Sequence, residues 1–233
     1  HYGGPLAEGL LDGEHVHFPW HHACFSLRTG EALRAPALDP VSCWRVEAVR
    51  DVARQFTPID EPVGAVFVRE KLAPRQPQPG PAATDAPKSI LIVGGGAAGN
   101  AAAQALRDEG YGGPITMLSA DDTLPCDRPN LSKGFLAGAA ADASNLLRSR
   151  AFYETHKIEL RLGAKVAAID TANRQVQLAD GGRETYGALL LATGAEPVRL
   201  DIPGAALPHV RYLRSLDDAR SLVAKTLESR RAV

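Results

Sequence analysis

Cysteine, methionine and aromatic residues are scarce in this 233-residue chain: three Cys, one Met, and 6% Phe, Trp and Tyr. Three cysteines cannot build a disulfide framework at this length, and an odd number fits a reducing compartment, so a cytoplasmic setting is expected. No apolar run approaches the roughly 20 residues that a bilayer-spanning helix needs. Net charge is nearly absent too: 26 basic against 27 acidic side chains leave a formal −1, which excludes a broad electrostatic footprint for nucleic acid. The longest basic cluster, Ser229-Arg230-Arg231, reads as solvated surface. What is plentiful is punctuation, with 22 Gly and 17 Pro. A content of 45% hydrophobic and 23% charged residues is that of a folded globular protein. At ~150 residues per domain the length corresponds to about 1.6 domains. The chain opens at His1 inside a patterned segment, so an N-terminal continuation is expected and the lack of a signal peptide says little about location.

Three stretches differ in character. Residues 1–73 hold five of the seven histidines and both tryptophans. Short alternating runs recur there: His15-Val16-His17-Phe18, Cys43-Trp44-Arg45-Val46-Glu47 and Val63-Gly64-Ala65-Val66-Phe67-Val68. Each has strand length and is bounded by turn residues such as Asp12-Gly13, Thr29-Gly30 and Asp39-Pro40, which predicts a small, mostly antiparallel β unit. Residues 74–87, PRQPQPGPAATDAP, carry five prolines, one glycine and no large apolar side chain, the composition of an extended, semi-rigid linker. From 88 to 233 the pattern changes. Ser89-Ile90-Leu91-Ile92-Val93 is a continuous apolar run, as in a strand buried on both faces of a parallel sheet. A glycine turn, a helical stretch Ala97–Glu109 closed by Gly110, and a strand Ile115–Leu118 complete a β-α-β unit with a right-handed crossover. Further strands are expected at Val166–Asp170, Gln175–Leu178 and Ala188–Ala192. A late helix is expected from Ser215, where Ser215-x-x-Asp218 has the spacing of a capping box.

Gly94-Gly95-Gly96-Ala97-Ala98-Gly99 fits G-x-G-x-x-G between a strand and a helix, the context that makes this pattern a dinucleotide fingerprint. Gly94 permits the tight turn, Gly96 lets a pyrophosphate approach the backbone, and Gly99 lets helix and strand pack closely, with the helix N-terminus facing the phosphates. An acidic residue about 20 positions on binds the adenosine ribose in such units. Asp121, 22 residues after Gly99, and its neighbour Asp122 are the candidates. The fingerprint leaves FAD and NAD both open.

Two further segments favour FAD by resemblance. Leu124-Pro125-Cys126-Asp127-Arg128-Pro129-Asn130-Leu131-Ser132-Lys133 resembles the "Y-D/E-R-P-x-L-S-K" segment of FAD-dependent ferredoxin reductases and apoptosis-inducing-factor-like oxidoreductases. Leu189-Leu190-Leu191-Ala192-Thr193-Gly194-Ala195-Glu196-Pro197 is similar to that family's second flavin motif, an apolar strand ending in A-T-G. The resemblance implies that Arg128 faces the diphosphate, and that Lys133 approaches the isoalloxazine, where a cation tunes the reduced flavin. It also implies that Ala192, Thr193 and Gly194 let the backbone come close to the cofactor. Cys126 departs from the family's usual tyrosine and is expected to be packed and inert. No Cys-x-x-Cys or Cys-x₄-Cys pair is present nearby, which disfavours a dithiol mechanism.

At the other end, His1-Tyr2-Gly3-Gly4-Pro5-Leu6 and Phe18-Pro19-Trp20-His21-His22-Ala23-Cys24-Phe25 resemble the two loops of a Rieske domain, C-x-H and C-P-W-H. A Rieske centre is a [2Fe–2S] cluster with two cysteines on one iron and two histidines on the other. The resemblance makes His1 and His21 the imidazole ligands. It places the first cysteine two positions before His1 and the second at Phe18. An apolar ring cannot ligate iron, and Cys24 lies six positions late. A degenerate cluster-free domain, an altered sequence and a different alignment stay open as explanations, although the intact Pro19-Trp20-His21 speaks against the last.

Together these segments resemble the Rieske-containing, apoptosis-inducing-factor-like NAD(P)H oxidoreductases of the pyridine nucleotide-disulfide oxidoreductase superfamily. The implied fold is α/β plus all-β: a Rieske-like antiparallel domain at 1–73, a linker at 74–87, and a Rossmann-like FAD-binding domain with a parallel sheet at 88–233. The implied activity passes electrons from NAD(P)H through FAD to a ferredoxin-like or other iron–sulfur partner. A nicotinamide unit is expected beyond Val233, and the isolated chain is expected to be inactive. Two alternatives are carried: a non-enzymatic interaction protein with a degenerate Rieske domain, and the reductase component of a dioxygenase or nitrite-reducing system.

Overall fold

The structure, a computed structural model, describes residues 4–34, 37–49, 65–73, 85–139 and 142–228. His1, the start of the Val63–Val68 run and most of the expected linker lie outside the described residues. The chain divides into two compact units, His1–Gln76 and Pro77–Val233.

In the first unit, strands β1 (Leu10–Asp12), β2 (His15–His17), β3 (Cys24–Ser26) and β4 (Ala32–Arg34) form an antiparallel sheet in that order. Gly13, at φ +56°, makes the reversal between β1 and β2. Pleat alternation buries Val16 between exposed His15 and half-buried His17. Val16 lies opposite Phe25 in the ladder, and the two join Phe18, Ala23 and Ala37 in one apolar core. Strands β5 (Trp44–Val49) and β6 (Ala65–Lys71) form a separate antiparallel hairpin. It runs beyond the apolar runs that predict it, to Val49 and Lys71, and carries exposed cross-strand ion pairs, Arg69 with Glu47 at 2.6 Å and Arg45 with Glu70 at 3.1 Å.

The second unit opens with β7 (Ile90–Val93), α1 (Ala97–Asp108) and β8 (Ile115–Leu118). Gly110, at φ +84°, ends the helix. There follow α2 (Arg128–Asn130), α3 (Arg150–Thr155), β9 (Ile158–Arg161), β10 (Val166–Asp170), β11 (Gln175–Leu178), β12 (Arg183–Thr185), β13 (Ala188–Leu191) and α4 (Leu216–Glu228). Four strands make a wholly parallel sheet in the order β13-β7-β8-β9. The expected strands at 166–170 and 175–178 are present but belong elsewhere: β10, β11 and β12 form their own antiparallel sheet.

That arrangement explains the unbroken apolar sequence of β7. Ile92 faces a core with Ala103 of α1, Ile115, Met117, Tyr153 of α3 and Ile158. Leu91 and Val93 face the opposite way, onto Leu118 and onto Val176 and Leu178 of β11. With both faces covered, no position can be polar. Arg107, near the end of α1, bolts the helix layer together by donating to four carbonyls: His156 at 2.7 Å, Tyr111 at 2.6 Å, Gly113 at 2.8 Å and Lys157 at 2.7 Å. Among the described residues no helix is long and apolar enough to cross a membrane.

Candidate functional site

The parallel sheet grows from β7 to β8 to β9 on one side, and the chain then returns to place β13 on the other. The order therefore reverses between β7 and β13. Open α/β sheets bind ligands beyond the carboxyl ends of their strands at such a reversal. The glycine turn leaves the end of β7 and Ala192-Thr193-Gly194 leaves the end of β13, joined by Ala192 N–H donating to Val93 O at 2.8 Å.

The glycines of the turn answer to different neighbours. A Cβ on Gly94, whose φ is +126°, would lie 2.1 Å from Ala192 O. One on Gly95 would meet Ser119 Oγ at 2.4 Å, and one on Gly99 would meet Gly94 O at 2.0 Å. These three are demanded by the fold's own packing. Gly96 is not: a Cβ there would meet no atom within 4 Å, and its extended backbone suits any residue. The open side of Gly96, at the N-cap of α1 and ahead of Ala97 and Ala98, is the room a diphosphate against a helix N-terminus requires.

Asp121 follows β8 and Ser119, whose buried hydroxyl accepts from Asp121 N–H at 3.2 Å. Arg128 Nη2 donates to Asp121 Oδ2 at 3.0 Å, with both side chains about 30% exposed (31% and 29%). Its Nη1 lies 4.0 Å from where a Gly194 Cβ would be. The structure thus brings Asp121, Arg128 and Gly194 together, three residues from the separate motifs. Lys133 takes no part in that pair. It is exposed, at a kink (φ −126°, ψ −108°) within the wide helical turn Leu131–Phe135, a type of turn that recurs at functional positions.

The segment carrying Arg128 and Lys133 is anchored from below and behind. Leu131 and Phe135 pack with Cys126 and with Leu216 and Ala219 of α4. Burial pushes the Cys126 thiol up, with Arg128 opposing and the Asp121 and Asp127 carboxylates adding to it, so the thiol stays protonated and packs as a small apolar group. Asn145, fully buried, accepts from the Asn130 amide through its side chain and from Asp127 N–H through its backbone at 2.7 Å.

The Thr193 turn is held by a residue the motifs do not include. Arg214 Nη2 donates to Thr193 O at 3.1 Å while Nη1 pairs with Glu196. Arg214 is placed by the N-terminus of α4, where the expected capping box is complete. Asp218 N–H donates to Ser215 Oγ at 3.1 Å, and Asp218 Oδ2 accepts from Ser215 N–H at 2.8 Å and Arg214 N–H at 3.0 Å. Burial alone would raise the Asp218 carboxyl, but these hydrogen bonds and the Arg214 charge outweigh it and hold its pKa below the usual carboxylate range. Ser119, Asn145 and Arg214 have no motif of their own, and only the Ser-x-x-Asp spacing beside Arg214 pointed toward one of them.

In the first unit His21 is exposed and His1 is outside the described residues. Phe18, at the second cysteine position, is fully buried in the core. Cys24 is the cross-strand neighbour of His17, Sγ to Nε2 4.0 Å. Among the described residues no three His, Cys, Asp or Glu side chains converge where a metal ion could sit. The donor set does not fit a Rieske cluster.

Residues 88–233 match the pyridine nucleotide-disulphide oxidoreductase family, and residues 1–45 match the Rieske [2Fe-2S] domain. Apoptosis-inducing factor 3 of Homo sapiens is 33% identical over 96% of this chain and 36% of its own length. Rubredoxin-NAD(+) reductase of Pseudomonas putida is 41% identical over 60% of this chain and 37% of its own. Among solved structures, a covalent putidaredoxin reductase–putidaredoxin complex superposes with a TM-score of 0.55 at 37% identity, covering 59% of this chain and 34% of that one. The chain spans little more than a third of the length of these curated relatives (36% and 37%). With a Rieske-type unit preceding its dinucleotide-binding unit, the chain belongs to the pyridine nucleotide-disulphide oxidoreductase family.

Proposed function

We propose that the protein carrying this chain is an FAD-dependent NAD(P)H oxidoreductase that supplies electrons to an iron–sulfur partner of the ferredoxin or rubredoxin kind. The observation that supports it most is the convergence of Asp121, Arg128 and Gly194 at the end of the sheet where the strand order reverses and the glycine turn leaves β7, with Gly96 of that turn open to a ligand. FAD, when bound, takes a hydride from NAD(P)H and gives its two electrons one at a time to one-electron acceptors, releasing a proton. The reading divides the chain into a Rieske-like domain at 1–73, a linker at 74–87 and an FAD-binding domain at 88–233.

Within it, Gly94, Gly95, Gly96, Ala97, Ala98 and Gly99 form the diphosphate cradle. Asp121 keeps Oδ1 for a ribose hydroxyl while Oδ2 is held by Arg128. Arg128 adds positive charge between Asp121 and Gly194, and Ala192, Thr193 and Gly194 border the cofactor with backbone alone. Lys133 is the cation presented toward the flavin ring. A reducing, cytoplasmic setting belongs to the same reading and is supported by three free thiols, Cys24, Cys43 and Cys126. The relatives named for rubredoxin and putidaredoxin support the choice of partner.

The test is the visible spectrum of the purified protein before and after heat release. Flavin bands that pass to the supernatant, and that bleach on NAD(P)H addition in the intact protein, support the reading. A protein that stays colourless when reconstituted with FAD overturns it in favour of a non-enzymatic module.

A further inference from the structure

We propose that the Rieske-type unit of this protein is a cluster-free module whose ligand loop is closed by an aromatic plug, Phe18, seated against Gly4 of the opposing loop. Phe18 has no exposed surface. It packs with Val16, Ala23, Phe25 and Ala37, with Leu6 and Val41 at the margin, and its ring meets Trp20 edge-on at 5.7 Å. The backbone around it is tied on both sides: Phe18 N–H donates to Ala23 O at 2.7 Å and His22 N–H donates to Phe18 O at 3.0 Å. The ring therefore points into the core from a loop closed upon itself.

Gly4 supplies the second, independent observation. A Cβ at Gly4 would lie 2.4 Å from Phe18 Cζ and 3.0 Å from two Trp20 ring carbons, so the smallest residue stands where the aromatic ring needs space. Gly4 and Phe18 come from the two loops that would carry ligands, and they fit each other rather than a cluster. Whatever precedes His1, the iron that needs two thiolates has an apolar ring at one of the two positions. Restoring a thiol at 18 would empty most of the volume that the ring fills. The unit is consequently held by apolar packing, and its folding does not depend on iron.

The inference is independent of the flavin reading, because its readouts are iron and stability. The whole protein that carries this chain is produced in cells supplied with iron and cysteine, and iron, acid-labile sulfide and the dithionite-reduced EPR spectrum are measured. Less than about one-tenth of the two irons and two sulfides of a Rieske centre, no rhombic Rieske signal and a thermal transition unmoved by chelator are expected. Two irons with two sulfides, or unfolding on chelation, overturns the proposal. The plug is tested by coupling. Gly4→Ala should lower the transition temperature of this unit by at least roughly 4 °C with Phe18 present, and by much less in a Phe18→Leu background, where the ring is gone but the core stays apolar. Equal shifts in both backgrounds refute the Gly4–Phe18 fit.

Discussion

Alanine at position 96 should separate what the fold needs from what a cofactor needs. At Gly96 the added methyl meets no atom within 4 Å, and the backbone, φ −89° and ψ −169°, is open to any residue. Loss of unfolded-state freedom then makes Gly96→Ala neutral or stabilising by about 0.4–1 kcal/mol without cofactor. Gly99→Ala is the contrast. Its Cβ would lie 2.0 Å from Gly94 O and 3.3 Å from Ile92 Cγ2, so α1 must lift off β7, at a cost of about 1–3 kcal/mol or more. For FAD the order reverses in origin. The Gly96 methyl fills the diphosphate's room, and the same overpacking of about 1–3 kcal/mol weakens binding roughly 5- to 150-fold. Thermal unfolding without cofactor measures the first quantity and quenching of FAD fluorescence on titration the second. A Gly96→Ala protein that binds FAD as tightly as the parent refutes the placement of the diphosphate over Gly96. One that is destabilised as much as Gly99→Ala refutes the sorting of the glycines.

Removing the Arg107 guanidinium tests the bolt under α1. Arg107→Ala strands the carbonyls of Tyr111, Gly113, His156 and Lys157. A loss of about 3 kcal/mol is expected, since a single hydrogen bond to a charged donor contributes ~1.5–3 kcal/mol and the exposed rim recovers water. A denaturant midpoint within error of the parent would refute it. Asp218 gives a pH dependence of definite sign. Its carboxyl is held low in the folded protein, so its contribution is present above its unfolded pKa of about 3.9 and is lost as pH falls through the lower folded value. Asp218→Asn should cost about 1 kcal/mol at neutral pH, as for a weakened helix cap, and should flatten the acid limb of the stability curve below about pH 4. A parallel acid limb in both proteins would show that Asp218 is not a titrating cap. Arg214→Ala frees the Thr193 carbonyl, and its expected signature is weaker FAD binding with a smaller change in unfolding midpoint; the opposite ranking would make Arg214 a structural residue only.

The elements legible in the sequence are those whose periodicity is set by burial on one or both faces. Strands β7 and β8 read as largely apolar because α1 and α3 cover one face of their sheet and β11 the other; β13 reads by its leucines although Leu190 and Leu191 are exposed at the sheet edge. Strand β9, Ile158-Glu159-Leu160-Arg161, does not read because it is four residues long and follows α3 through a turn made by Lys157 at φ +51°, with no Gly or Pro to mark it. Glu159 accepts from Thr116 Oγ1 at 3.0 Å, and Arg161 pairs with Glu184 of β12. In the site, Arg214 and Asn145 act on motifs 21 and 15 residues away, a reach that no local pattern encodes. Phe18 was visible as a departure from C-P-W-H, yet a letter cannot say whether the ring projects into solvent or replaces a cluster; Gly4, unremarkable by itself, decides that by leaving 2.4 Å for a methyl. G-x-G-x-x-G likewise superposes two demands within six positions. Gly94 is required by the Ala192 carbonyl beside it and Gly99 by the contact of α1 with the Gly94 carbonyl, whereas a Cβ at Gly96 meets no atom within 4 Å. The packing constrains the first two and leaves the third free, so position 96 is where the proposed diphosphate site, rather than the fold, is put to the test.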